Sequence, residues 1–80
     1  MLTPREVQVI RLIAQGYSNK QIAAELHIAM QTVKNYVQRC LIKLRARNRT
    51  HLVTLGGELG IVNIPQTHYL ISNLTTSITR

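Results

Sequence analysis

Two helix-start signals close to each other leave the first third of this chain little conformational freedom. In "LTPREV", Thr3 can accept from the backbone of Glu6 while Glu6 reaches back to Thr3, a T-x-x-E capping box. Pro4 sits at the first helical position, where its missing N–H costs nothing. In "YSNKQI", Ser18 and Gln21 repeat the device. Leu2 with Val7, and Tyr17 with Ile22, supply the apolar staples that flank each box. Between them Gly16 is free to take the left-handed conformation that ends a helix. The spacing therefore predicts a helix over residues 4–15 and a second from Asn19 to about Leu26. Val7, Ile10, Ile13 and Ala14 give the first a face to bury, and Ile22, Ala23 and Leu26 give the second one.

A turn of three residues, "HIA", then leads into "MQTVKNYVQRCLIKL", whose two faces differ completely. Met30, Val33, Val37, Cys40, Leu41 and Leu44 form one apolar stripe. The opposite arc carries Gln31, Thr32, Lys34, Asn35, Gln38, Arg39 and Lys43, with no carboxylate among them. A helix built for solubility alone usually mixes signs, because Glu and Lys four apart support each other by about 0.2–0.5 kcal/mol. This one forgoes that support. Lysine and arginine neutralise phosphates while short amides pair with base edges, so the arc suits a polyanion that displays bases. A short helix, a tight turn and a longer helix with a polar outer face make a helix-turn-helix, in which the second helix braces and the third reads. A merely solvated charged face is the bland alternative, and the helix-turn-helix setting tells against it.

Past "RAR", Asn48 can cap a fourth helix over "RTHLVTLGGELG", with Leu52, Leu55 and Leu59 along one side. Its weak point is Gly56-Gly57, since each helical glycine costs about 1 kcal/mol relative to alanine. From Ile61 the texture turns to Thr, Ser and Asn without a sustained period. The expected architecture is all-α: a four-helix bundle containing a helix-turn-helix over residues 1–62, then a tail over 63–80 whose composition permits disorder.

Ten Lys and Arg against three Asp and Glu give a formal charge of +7, which argues for an anionic partner. Of the anionic partners, a membrane fits poorly, because no apolar run approaches the roughly 20 residues a span requires. Pro4, Arg5 and Glu6 interrupt the N-terminus before any signal-peptide core forms, so the cytoplasm, at the nucleoid, is the expected location. The single cysteine can make neither an internal disulfide nor a zinc site, and Cys40 reads as a small core hydrophobe. His27, His51 and His68 have no partners placed for a triad or a metal, so neither catalysis, metal nor cofactor is expected. Glu6 reads as a cap and the partner of a nearby arginine. Three Tyr with no Phe or Trp are too few for an RNA-stacking platform.

The pieces "LTPRE", "G-x-SNK-x-IA", "TVK" and "RNRT" stand in one order across residues 2 to about 62. Together they resemble the DNA-binding domain of the LuxR family, also called GerE-type, found at the end of many bacterial response regulators and quorum-sensing receptors. The resemblance implies double-stranded DNA binding as a dimer, with helix three in the major groove and helix four making the dimer contact. Carried over by position, Lys34, Asn35 and Gln38 approach bases, while Lys20, Thr32, Tyr36, Arg39 and Lys43 lie near phosphates. Leu52, Leu55 and Leu59 then either form the dimer contact or close the domain's own core. The chain departs from the family pattern at Ala29, where a Ser or Thr usually caps helix three, and at the glycine pair, so the expected homodimer is weak and forms on DNA. The runner-up resemblance is a sigma-factor region-4-like module docking on RNA polymerase. "RNRT" followed by a further helix favours the first.

Overall fold

Both capping boxes close as hydrogen-bonded pairs. The Glu6 N–H donates to Thr3 Oγ1 at 3.2 Å and the Thr3 N–H to Glu6 Oε1 at 2.8 Å; Gln21 N–H donates to Ser18 Oγ at 3.2 Å and Ser18 N–H to Gln21 Oε1 at 2.8 Å. In the computed structural model, which describes residues 1–62, they open α1 (Pro4–Ala14) and α2 (Asn19–Leu26). Gly16, at φ +90°, stops the first, and the second ends on His27 at φ 56°, a left-handed position that histidine tolerates. α3 (Met30–Leu44) and α4 (Arg49–Glu58) follow, the latter capped by Asn48, whose Oδ1 accepts from the His51 N–H at 2.8 Å. Among the described residues the fold is four helices and no strand. The tail expected over 63–80 lies outside the described residues.

The core is built around α3, which packs against the other three helices. Val33, Val37 and Cys40 meet Val9, Ile10 and Ile13 of α1, Ile22 and Leu26 of α2, Leu52 of α4 and Val62. The buried face of α1 is rotated from the expected one: Val9 is fully buried and Val7 only half so. Either valine satisfies a helical period. Burial of Glu6 against α3 settles which one turns inward.

Two contacts fix α4. A Cβ on Gly56 would lie 3.1 Å from Ile10 Cγ2 and 3.5 Å from Val62 Cγ2, so this glycine marks a close approach of α4 to α1. α4 runs through the glycine pair without interruption. Arg49 stands at the helix end where the macrodipole disfavours cations. It is held there by donating to Asn19 Oδ1 at 2.6 Å and to the Tyr17 carbonyl at 2.7 Å, which ties the start of α4 to the start of α2. Burial lowers the pKa of this guanidinium from its ordinary value, yet arginine remains charged. The motif "RNRT" alone does not give Arg49 this task; the signal for it is a cation at the wrong end of a helix.

Candidate nucleic-acid interface

The core-facing stripe of α3 leaves its opposite side to solvent. Gln31, Lys34, Asn35, Gln38 and Arg39 are all exposed there, and no acidic side chain lies anywhere on the helix. The Gln31 Nε2 donates to Asn35 Oδ1 at 3.2 Å, one turn on, which steadies the Asn35 amide at the centre of the arc. At one flank the Arg39 guanidinium sits 5.6 Å from the centroid of the half-buried Tyr36 ring, close enough for a cation–π contact that restricts the arginine. Thr32 is also half-buried. Lys20, exposed in the first turn of α2, adds a positive charge beside the helix-turn-helix. Chemically, the arrangement offers cations to phosphates and amides to base edges from one helix face.

Lys43 is placed differently from the expectation. Its Nζ donates to both carboxylate oxygens of Glu6, at 2.8 and 3.0 Å, and to the Met1 carbonyl at 3.2 Å. The partner expected for Glu6 was a nearby arginine; the partner observed is this lysine, two helices away. Glu6 is 1% exposed. The hydrogen bond from Lys43, and then that from the Thr3 backbone, hold its carboxyl below the usual carboxylate range against the opposing effect of burial. A buried carboxylate has stronger claims on an ammonium than a phosphate in water, so Lys43 belongs to the fold first.

Other expectations separate on burial. Met30, assigned to the apolar stripe, is 45% exposed. At that end of α3 the half-buried Ile28 packs on the core instead, just before the helix, with Val33 inside it. Cys40 is fully buried, with its Sγ 3.8 Å from the Glu6 carbonyl, and burial pushes its thiol up to about 11. Leu52 is fully buried in the core and has no surface left for a dimer seam. Leu55 is half-buried and Leu59, the C-cap of α4, is 62% exposed, so of the three leucines only these two keep surface in water. Ala29 has the extended backbone of an N-cap and makes no side-chain hydrogen bond to α3. Among the described residues, no three His, Cys, Asp or Glu side chains gather as a metal site would require, and no helix is long and apolar enough to cross a membrane.

A family model described as bacterial regulatory proteins, luxR family, matches residues 1–55. The chain is 42% identical over 71 residues to the HTH-type quorum sensing-dependent transcriptional regulator VjbR of Brucella ovis, covering 89% of this chain and 27% of that protein. It is 49% identical over 62 residues to the response regulator protein VraR of Staphylococcus aureus, covering 78% of this chain and 30% of that one. The chain thus spans about a third or less of these curated relatives. Among solved structures, the transcription factor GerE superposes with a TM-score of 0.75 at 30% identity, over 80% of this chain and 96% of GerE. The response regulator ChrA of a heme-sensing two-component system gives 0.74 at 34% identity, over 76% of this chain and 30% of ChrA.

Proposed function

The chain belongs to the luxR family of bacterial regulatory proteins, and we propose that it reads double-stranded DNA by laying α3 in the major groove, as the DNA-binding part of a transcriptional regulator. The observation that carries this reading is the outer arc of α3: exposed Lys34, Asn35, Gln38 and Arg39, with no carboxylate on the helix. Lys34, Asn35 and Gln38 take the base edges. Lys20, Thr32, Tyr36 and Arg39 take the flanking phosphates, while Lys43 is held by Glu6. A second copy pairs through Leu55 of α4 and Leu59 at its C-cap when both occupy DNA, and the protein works in the cytoplasm.

Selecting bound sequences from a random duplex pool tests this. An enriched, palindromic sequence is expected. Against it, Lys34→Ala and Asn35→Ala each lose about 1–3 kcal/mol of site preference and keep non-specific affinity. Arg39→Ala weakens binding to all duplexes and lowers the log-log salt slope by about one. A pool with no enriched sequence, combined with capture of RNA polymerase in the absence of DNA, would replace this reading with a polymerase-docking one.

A further inference from the structure

Four large apolar side chains are exposed among the described residues, and two of them, Met30 and Ile42, lie on α3. Met30 is the first residue of that helix and is 45% exposed. Ile28 and Val33 form the apolar closure at this end, and Met30 is absent from the side chains packed on the core. It stands one turn before Lys34 and about 40° from it around the helix, where the apolar stripe borders the cationic arc. The reading helix of a helix-turn-helix contacts base edges with its N-terminal residues, so an apolar side chain in the first turn is carried to the groove floor. There the one apolar group a base pair presents is the C5-methyl of thymine.

Resting on the reading of α3 as the groove helix, we infer that Met30 is a specificity-determining residue that packs its thioether side chain on a thymine methyl. An unbranched, adaptable side chain suits such a contact, since it can follow the methyl without a fixed rotamer. Four residues of helix advance about 6 Å, and stacked bases lie about 3.4 Å apart. The thymine therefore falls within about two base pairs of the pair that Lys34 contacts. Ile42, about 18 Å further along the helix axis, lies beyond that turn and takes no part.

The experiment replaces each thymine of the selected duplex in turn by deoxyuridine, which removes the methyl and keeps every hydrogen-bonding group. Affinities are measured for the parent chain, Met30→Ala and Lys34→Ala. The expected result is one thymine whose replacement weakens parent binding about three- to fourfold, the worth of one buried methyl. At that position Met30→Ala shows no methyl dependence, and the base pair whose identity Lys34→Ala ceases to read lies within two steps of it. A flat deoxyuridine scan with the parent, or an equal methyl penalty with Met30→Ala, overturns the assignment while leaving α3 as the reader. Absence of any preferred duplex for the parent overturns both.

Discussion

Glu6 and Lys43 are 37 positions apart in sequence and 2.8 Å apart in the fold. Removing one partner of a buried pair is far more costly than removing a surface ion pair. Lys43→Ala would leave the Glu6 carboxylate in the core with Thr3 as its one remaining partner. A loss of about 2–3 kcal/mol in unfolding free energy is expected, below the usual range because a third of the Lys43 side chain is in water. Denaturant titration measures it. The folded carboxyl is held below its ordinary value of 4.5. The pair's contribution is therefore fully present above pH 4.5 and is lost as pH falls through the lower, folded value. In Glu6→Gln the melting temperature should decline less steeply below pH 4.5 than in the parent. The salt slope of DNA binding by Lys43→Ala, measured at a temperature where it remains folded, should match the parent's. A slope smaller by about one would return Lys43 to the phosphate set.

At the scale of elements, α3 differs from its neighbours in how it begins. α1, α2 and α4 each start from a side-chain cap, and α3 starts from Ala29, whose φ of −69° and ψ of 148° already have the geometry a cap requires. Ala29→Ser should therefore gain about 1 kcal/mol without moving the backbone. In a domain of this size that raises the melting temperature by about 4–8 °C. Thermal unfolding followed by circular dichroism decides the point, and an unchanged midpoint would mean that water already satisfies the first turn as well as a hydroxyl would. The capping boxes of α1 and α2 were legible because each lies within four consecutive residues. The face that α1 buries was not, since Val7 and Val9 fit the period equally and a contact with α3 separates them.

For the whole molecule, one helix-turn-helix reads only a few base pairs, and useful selectivity comes from two copies on half-sites about one DNA turn, roughly 34 Å, apart. With Leu52 in the core, the dimer seam proposed for α4 reduces to Leu55 and the C-cap residue Leu59. Two leucines make a small contact, so the protein should be monomeric at micromolar concentration and pair on a two-half-site duplex, where DNA raises the local concentration of the second copy. Analytical ultracentrifugation with and without that duplex tests this. Leu55→Lys should abolish cooperativity and spare binding to a single half-site. A tight dimer without DNA, indifferent to Leu55→Lys, would place the contact elsewhere.

By itself the sequence determined the helices, their order, the turn at residues 27–29 and the amphipathic, carboxylate-free character of α3, because capping, left-handed stops and helical periodicity are local and act over a few residues. The tertiary structure alone decided which apolar residues are core and which cations are spoken for. Leu52, Leu55 and Leu59 look alike along α4, and only packing against α1 and α3 buries the first and leaves the last in water. Lys34 and Lys43 look alike along α3, and only the approach of α1 gives the second a buried carboxylate. Met30 fits the apolar stripe by period, yet it is 45% exposed while Ile28, just before the helix, packs on the core. Each of these depends on what a distant segment brings within a few ångströms, and the local pattern of a helix carries no record of that.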